Sequence, residues 1–195
     1  EPARLMLRFT PGIECHTHEY IRTGHLDSKF GFDPDQVEPV LRSLVGQPWA
    51  QLTGLHAHIG SQIFELEPHR DLAAVMADKL KLARDLGHPV SDLNVGGGLG
   101  IRYVESDDPP SIEQWIQVVA EAVTSACQER GLELPRLMCE PGRSLVATAG
   151  VTCTCTARSR RAVRTIVCSS ERRLQAIRSR NLLQLANVHL LSLIH

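Results

Sequence analysis

Residues 92–98 read Asp-Leu-Asn-Val-Gly-Gly-Gly, a short apolar strand pattern that ends in three glycines. A helical pattern of apolar residues follows between Ser111, whose side chain suits the start of a helix, and Gly131, which suits its end. A strand, a glycine-rich loop and a helix in succession are typical of a βα unit. This stretch therefore predicts one such unit in the middle of the chain.

The same succession of strand and helix recurs on both sides of this unit. Strand-like runs and helical patterns alternate at a spacing of roughly 40 residues per unit, which suits a barrel of βα repeats. The predicted strands are residues 5–9, 52–59, 92–95 and 137–140, and the predicted helices are residues 34–44, 68–86 and 112–126. Pro68 suits the start of the second helix and Gly87 its end.

This alternation places the chain in the α/β class with a parallel sheet. Four units are about half of the eight that close a TIM-type (β/α)8 barrel, so a partial barrel is the predicted architecture. A doubly wound open sheet is the alternative, and it too binds ligands at the carboxyl ends of its strands. Either architecture directs the search for a site to the residues that follow each strand.

The composition limits the class of protein. The chain has 195 residues, of which 43% are hydrophobic and 22% charged, as expected of a globular protein with a buried core. The net charge of −1 gives no reason to expect nucleic acid as a partner, and no run of about 18 apolar residues suits a membrane span. Six cysteines are too few for a disulfide scaffold, so we expect reduced thiols and a cytoplasmic protein.

The charge divides the chain near Val151. Residues 1–151 carry 13 Lys and Arg against 21 Asp and Glu, a net −8. Residues 152–195 carry eight Arg against a single Glu, a net +7, and contain no Gly, Pro or Asp with which to form ordinary turns. We predict a partial barrel domain over 1–151 and a basic tail over 152–195 that is irregular or non-native, as a shifted reading frame would produce. The alternative is a genuine basic amphipathic helix that binds RNA or anionic lipid.

The residues that follow the third strand suit an anion. Gly96, Gly97 and Gly98 have no Cβ, so their backbone N–H groups can approach a ligand closely. A phosphate is the natural ligand of such a turn where it opens onto a helix. A tight loop with no ligand is the alternative, because a glycine motif alone is a weak signal.

Polar residues also follow the second and fourth strands. Glu140 offers a carboxylate to a heteroaromatic N–H, and Arg143 offers a fork of donors to a phosphate. Alternatively these two side chains form a salt bridge that closes the Pro-Gly turn between them. His58 is predicted to stack on a flat cofactor or else to be a core histidine. Ser61 either donates to a phosphate or caps the helix that follows.

His56 and His58 permit a different chemistry. Residues two apart on a strand point the same way, and a His-x-His pair at a barrel strand end begins the zinc site of metal-dependent hydrolases. Such a site needs further ligands at later strand ends, where this chain has glycines and Glu140-Pro141-Gly142-Arg143. Cys15-His16-Thr17-His18 is also rich in metal-binding side chains but lies in a polar loop. We therefore predict no metal site and keep the hydrolase as the alternative from another reaction class.

Three motifs in this order resemble the diaminopimelate decarboxylase family. They are Leu-His-Ala-His-Ile-Gly-Ser-Gln at 55–62, Leu-Asn-Val-Gly-Gly-Gly-Leu-Gly-Ile at 93–101 and Cys-Glu-Pro-Gly-Arg-Ser at 139–144. The segments at 28–31 and 106–110 fit the same family. The resemblance covers residues 3–151 and implies an alanine-racemase-like barrel that binds pyridoxal 5′-phosphate, with a C-terminal β domain that we expect to be absent from this chain. It also implies a homodimer that removes CO₂ from meso-diaminopimelate to give lysine.

The resemblance implies a role for each matching residue. Ser61 and the glycine turn at 96–98 would hold the cofactor phosphate, and His58 would stack on the pyridine ring. Glu140 would pair with the ring N–H, which makes the ring a better acceptor of the electron pair that CO₂ leaves behind. Arg143, beyond the turn of Pro141 and Gly142, would contact the phosphate or the substrate carboxylate.

Two parts of the family's machinery are not found among these motifs. The Schiff-base lysine is expected on an earlier barrel strand, before Glu1, and the catalytic cysteine in a Cys-Glu-Ser-Gly-Asp context that no cysteine here matches. We therefore assign no catalytic residue to this chain and predict that it releases no CO₂ from diaminopimelate on its own. The alternatives are a decarboxylase of the same fold acting on ornithine, arginine or carboxynorspermidine, and a non-catalytic module that binds a phosphate or a cofactor.

Overall fold

A computed structural model describes residues 1–13, 30–153 and 166–168. All four predicted strands and all three predicted helices are present. The strands are β1 (Ala3–Arg8), β2 (Ala50–His56), β3 (Asp92–Asn94) and β4 (Arg136–Met138), and the helices are α1 (Val37–Leu44), α2 (Glu67–Asp85) and α3 (Ile112–Glu129). A short helix, α4 (Gly142–Val146), and one 3₁₀ turn (Ala147–Ala149) follow β4.

The four strands form one parallel sheet in the order β1-β2-β3-β4. Leu55 of β2 lies between Leu7 of β1 and Leu93 of β3, and Leu93 in turn pairs with Leu137 of β4. Neighbours in the sheet are thus neighbours along the chain, and each connection contains a helix, as in a barrel of βα units. A doubly wound sheet reverses its strand order at a switch point, which these four strands do not do. The predicted partial barrel is confirmed.

The core lies between the sheet and helices α2 and α3. The inner face of α2 presents Leu72, Met76 and Leu80 at helical spacing, all with 0% exposure. Trp115 of α3 is also buried, and so is every residue of the central strand β3. Burying a large apolar side chain stabilises a fold by about 1.5–3 kcal/mol, so this layer holds the two helices against the sheet.

The ends of α2 and α3 follow the predicted signals. Pro68 lies in the first turn of α2, where its missing N–H costs nothing. Ser111 and Gln114 form a complete capping box at the start of α3, because the side chain of each accepts from the backbone N–H of the other (3.1 and 2.8 Å). Gly87 and Gly131 follow the two helices with φ of +88° and +64°, a conformation that glycine adopts without strain.

The predicted start of helix α1 is wrong by three residues. The helix begins at Val37 rather than Pro34. The residues before Val37 form a turn in which the N–H of Gln36 donates to the carbonyl of Asp33 (2.9 Å) and the Gln36 side chain accepts from the Asp33 N–H (3.0 Å). These two hydrogen bonds hold residues 33–36 in a turn, so the helix begins only after it.

Strand β2 is also shorter than predicted, ending at His56 rather than Ile59. Its neighbour β3 ends at Asn94, where the glycine turn begins, and the last bond between them runs from the Ala57 N–H to the Asn94 carbonyl (3.0 Å). Beyond that point β2 has no strand beside it to pair with. His58 therefore lies outside the strand, and strand alternation does not place it on the same side as His56.

A second, two-stranded sheet follows α4. Strand β5 (Val151–Cys153) pairs antiparallel with β6 (Ile166–Cys168). The rest of the predicted basic tail, with its alternative amphipathic helix, lies outside the described residues, as does the Cys15–His18 motif. The division of the chain near Val151 stays a prediction. Within the described residues, each helix is too short or too polar to cross a membrane.

Candidate functional site

Three loops meet at the carboxyl edge of the sheet, after β2, β3 and β4. Backbone hydrogen bonds of Ile63 join the first two loops, because its N–H donates to the Gly98 carbonyl (2.9 Å) and its carbonyl accepts from the Gly100 N–H (3.0 Å). The Glu140 N–H donates to the Gly96 carbonyl (2.8 Å), which joins the second loop to the third. The structure thus brings the sequence-predicted residues of all three loops into one cluster.

The three consecutive glycines allow the loops to approach this closely. A Cβ at Gly97 would lie 2.1 Å from the carbonyl oxygen of Glu140, and a Cβ at Gly96 would lie 2.7 Å from Nδ1 of His58. A Cβ at Gly98 would lie 2.8 Å from a backbone oxygen of the loop after β2. Contact between loops therefore explains why these positions are glycine without reference to a ligand. Among the described residues, nothing accepts from the Gly98 N–H, so this donor is open to an anion.

His58 is held as a neutral imidazole. Its Nδ1 accepts from the N–H of Gly97 (3.2 Å), which leaves the ring proton on Nε2. Burial, and after it the nearby charges of Arg8 and His56, lower the pKa of His58 to about 4. At neutral pH the cluster therefore contains a flat, uncharged ring, which suits stacking on another ring.

Glu140 presents a carboxylate with one engaged oxygen. Its Oε1 accepts from Nδ2 of Asn94 (2.8 Å) and lies 3.8 Å from Nε2 of His56. Burial lowers the pKa of His56, and the Glu140 carboxylate partly opposes this effect. The Glu140 side chain is 53% exposed, and its Oε2 has no hydrogen-bond partner among the described residues. The arrangement leaves one carboxylate oxygen open to an N–H donor.

Arg143 joins the loop after β4 to the loop after β2. Its Nε and Nη2 donate to Oγ of Ser61 (3.0 and 2.8 Å), and its Nη1 donates to the hydroxyl of Tyr103. Pro141 and Gly142 form the turn that begins α4 and carries Arg143 to this position. Because Ser61 Oγ accepts from the guanidinium, its own hydrogen is left to donate elsewhere. A cation and a hydroxyl donor therefore lie together, as an anion requires.

The capping alternative for Ser61 is wrong. Helix α2 begins at Glu67, and its N-cap position is Leu66, five residues beyond Ser61. The hydroxyl is instead committed to the Arg143 guanidinium.

Sequence reasoning missed Asn94, Tyr103 and Arg8. Asn94 is a buried polar residue (5% exposed) between the buried apolar residues Leu93 and Val95, which was the available signal. Arg8 likewise interrupts the apolar run of β1, and burial lowers its pKa while the Glu140 carboxylate opposes this effect. Tyr103 lies in a loop without periodicity, so only the folded chain shows its contact with Arg143.

The alternative of a metal site has no support in this cluster. His56 faces Glu140, whereas His58 accepts from the Gly97 N–H. In the part of the chain that the structure describes, no three His, Cys, Asp or Glu side chains are grouped to hold a metal ion. Among the described residues, the His-x-His pair therefore has no third ligand of the kind that a hydrolase zinc site needs.

Residues 1–147 match the family model of the pyridoxal-dependent decarboxylases, pyridoxal binding domain. This range contains all three loops and every residue predicted for the site. The match therefore includes the whole cluster described above.

Individual relatives agree with this family match. The chain is 59% identical over 151 residues to a diaminopimelate decarboxylase of Synechocystis sp. and 44% identical over 151 residues to one of Bacillus subtilis. These matches cover 77% and 76% of this chain but 32% and 34% of the relatives, so the chain spans about a third of the length of the curated relatives it matches.

The fold is similar to that of a solved diaminopimelate decarboxylase from Helicobacter pylori complexed with L-lysine. The TM-score is 0.69 and the sequence identity 28%, over 85% of this chain and 40% of that one.

Proposed function

Because this chain belongs to the pyridoxal-dependent decarboxylases, whose pyridoxal binding domain it matches over residues 1–147, we propose that it forms part of a diaminopimelate decarboxylase. In this proposal it binds pyridoxal 5′-phosphate at the carboxyl edge of its sheet, and the complete protein converts meso-diaminopimelate to L-lysine and CO₂. The observation that carries the proposal is the convergence of the three loops, which groups an arginine, a hydroxyl, a neutral histidine and a carboxylate.

The choice of substrate rests on the relatives. The Synechocystis protein is 59% identical to this chain, and the Helicobacter pylori structure contains L-lysine, the product of the proposed reaction. This similarity favours diaminopimelate over ornithine, arginine or carboxynorspermidine. We also propose a cytoplasmic homodimer, and the free thiols of Cys127 and Cys139 suit that compartment.

The cluster fits the cofactor at both ends of its pyridine ring. Arg143, the Ser61 hydroxyl hydrogen and the Gly98 N–H offer a cation and two donors to the phosphate. Gly96 and Gly97 shape the same turn, as Pro141 and Gly142 shape the turn before Arg143. At the other end, Oε2 of Glu140 is open to the ring N–H.

Each side chain then has a task that its surroundings support. When bound, pyridoxal phosphate supplies an electron-accepting ring for the electron pair that departing CO₂ leaves. Glu140 accepts the ring N–H and so holds a positive charge at the ring nitrogen. His58, neutral because of its lowered pKa, stacks on the ring and fixes its orientation relative to the bond that breaks. Arg143 holds the phosphate or, alternatively, the substrate carboxylate.

No described lysine is a candidate for the Schiff base. Lys79 and Lys81 both lie on α2, where Lys79 donates to the Pro34 carbonyl (3.3 Å) and Lys81 pairs with Asp85 (2.7 Å). Their partners lie outside the loop cluster. We therefore assign binding residues, and no catalytic residue, to the described part of this chain.

Calorimetric titration with pyridoxamine 5′-phosphate tests the binding proposal. This amine form of the cofactor has no aldehyde and cannot react with surface lysines, so the titration measures the site alone. We expect saturable binding of one molecule per folded chain, and weaker binding of pyridoxamine, which lacks the phosphate. A folded chain that binds neither compound would contradict the proposal.

A chimaeric enzyme tests the proposed reaction. Residues 1–147 would replace the matching segment of the Synechocystis protein, and CO₂ release from meso-diaminopimelate would be measured. We expect release above that of a chimaera carrying Glu140→Gln. A folded chimaera that binds pyridoxal phosphate but releases no CO₂ would count against the assignment.

A further inference from the structure

The side chain of Asn94 joins two of the loops through its two ends. Its Nδ2 donates to Oε1 of Glu140 (2.8 Å), and its Oδ1 accepts from the Gly96 N–H (2.9 Å). Asn94 is the last residue of β3, is 5% exposed, and pairs with strands on both sides. The amide group therefore extends from a strand that is paired on both sides, and both its nitrogen and its oxygen are hydrogen-bonded.

A primary amide suits this position better than the side chains nearest to it in shape. A carboxylate at position 94 could accept from the Gly96 N–H, but it could not donate to Glu140. A leucine has a similar shape and makes neither bond. A polar side chain in a buried strand position also costs desolvation, which its two hydrogen bonds offset. The identity of residue 94 is thus tied to the two groups it joins.

The bond to Asn94 restricts the carboxylate of Glu140. Half of this side chain is exposed, and an exposed glutamate ordinarily samples several rotamers. Here Oε1 accepts from Asn94 and lies 3.8 Å from Nε2 of His56, whereas Oε2 has no hydrogen-bond partner among the described residues. Holding one oxygen therefore sets the direction of the other.

We propose that Asn94 is a positioning residue, which aims the open oxygen of Glu140 at the ring nitrogen of the bound cofactor and ties that aim to the glycine turn at Gly96. The inference rests on the function proposed above. It adds a residue that makes no contact with the cofactor itself and acts through Glu140.

The protonation of the bound pyridine ring tests this role without any measurement of activity. The probe is pyridoxamine 5′-phosphate labelled with ¹⁵N at the ring nitrogen, bound to the full chain, and the ¹⁵N shift is followed as the pH is raised. In Asn94→Leu the Glu140 carboxylate is no longer aimed at the ring, so we expect its hydrogen bond to the ring N–H to weaken. A hydrogen bond to a charged group is worth about a tenfold change in proton affinity, so the ring should lose its proton about one pH unit lower than in the wild type.

A matched control and a double variant separate positioning from general damage. Gln62 also makes two amide hydrogen bonds, to the N–H and the carbonyl of Ile101 (3.1 and 2.7 Å), but does not touch Glu140. Gln62→Met should therefore leave the ring titration unchanged. Glu140→Gln alone should lower the pH at which the bound ring loses its proton. The double variant Glu140→Gln, Asn94→Leu should lower that pH no further, because Asn94 acts through Glu140.

The outcomes distinguish this inference from the proposed function. An unchanged ring titration in Asn94→Leu, with a lowered one in Glu140→Gln, would overturn the inference and leave the function standing. A wild-type chain that does not bind the probe would overturn both. Asn94→Ala is the second variant, and if both Asn94 variants fail to fold while Gln62→Met folds, Asn94 is a structural residue and the inference fails.

Discussion

The N–H of Gly97 donates to Nδ1 of His58 across 3.2 Å, so the loop after β3 selects the tautomer of a histidine in the loop after β2. The same glycine lies against the Glu140 carbonyl, where it has no room for a Cβ. Gly97 thus connects three loops, because its N–H bonds the loop after β2 and its lack of a Cβ allows the loop after β4 to approach closely.

Gly97→Ala should destabilise the protein by about 3 kcal/mol, because the new Cβ would lie 2.1 Å from the Glu140 carbonyl oxygen and force two loops apart. Urea unfolding followed by circular dichroism measures the loss. We also expect the variant to lose binding of pyridoxamine 5′-phosphate, since the loops that bind it no longer meet.

Gly46→Ala is the matched control for this substitution. Gly46 has φ of +72° and no atom of the described residues within 4 Å of the added Cβ, so backbone strain is the expected cost of the change. We expect a cost of about 1 kcal/mol and unchanged binding. Equal costs at the two glycines would show that the contact with Glu140 does not restrain Gly97.

The stability of the protein should fall as the pH drops below 6.5. Burial is the largest cause that lowers the pKa of His58 and of His69 from the ordinary 6.5 to about 4 in the folded chain. Between these values the unfolded chain takes up protons that the folded chain does not, so the stabilisation is complete above pH 6.5 and is lost as the pH falls toward 4. Each histidine contributes a slope of up to about 1.4 kcal/mol per pH unit.

Urea unfolding between pH 7.5 and about pH 4.5 measures this slope. His69→Gln should reduce the slope by up to about 1.4 kcal/mol per pH unit, which is the contribution of one proton, and His58→Asn should reduce it by a similar amount. A free energy of unfolding that stays constant over this range would show that neither histidine is held neutral.

Arg143→Ala should weaken the binding of pyridoxamine 5′-phosphate by about 10- to 100-fold, because a charge-assisted hydrogen bond contributes about 1.5–3 kcal/mol. Binding of pyridoxamine, which has no phosphate, should change little. Arg42→Ala is the control, since Arg42 is exposed on α1 and pairs with Glu38 one helical turn away. If Arg143→Ala binds both compounds like the wild type, the alternative role for Arg143 at the substrate carboxylate gains support.

Ser111→Ala should destabilise the protein by about 1 kcal/mol, because it removes the side-chain oxygen that accepts from the Gln114 N–H at the start of α3. Thermal and urea unfolding both measure this loss. Ser125→Ala on the same helix is the control, since the Ser125 hydroxyl donates to the exposed Glu129 (3.3 Å) and caps no helix end. A change at Ser111 no larger than that at Ser125 would mean that the capping box adds little to stability.

Local sequence patterns determined the order of strands and helices and the loops that contain the site. They also determined where α2 and α3 begin, near Pro68 and Ser111, and where they end, before Gly87 and Gly131. These features depend on residues close together along the chain, through periodicity and the conformational limits of proline and glycine. Boundaries were less predictable: β2 stops where its neighbour β3 stops, which depends on pairing rather than on the residues of β2.

Only the tertiary structure decided which side chains of the loops meet. Arg143 bonds Ser61 across 82 positions of sequence, and Asn94 bonds Glu140 across 46. Neither pair has a signature in the sequence, because their distance is set by the parallel stacking of strands and by the burial of α2 and α3 against them. The sequence by itself identified residues able to bind a phosphate and a ring nitrogen, and packing between distant segments arranged them in one cluster.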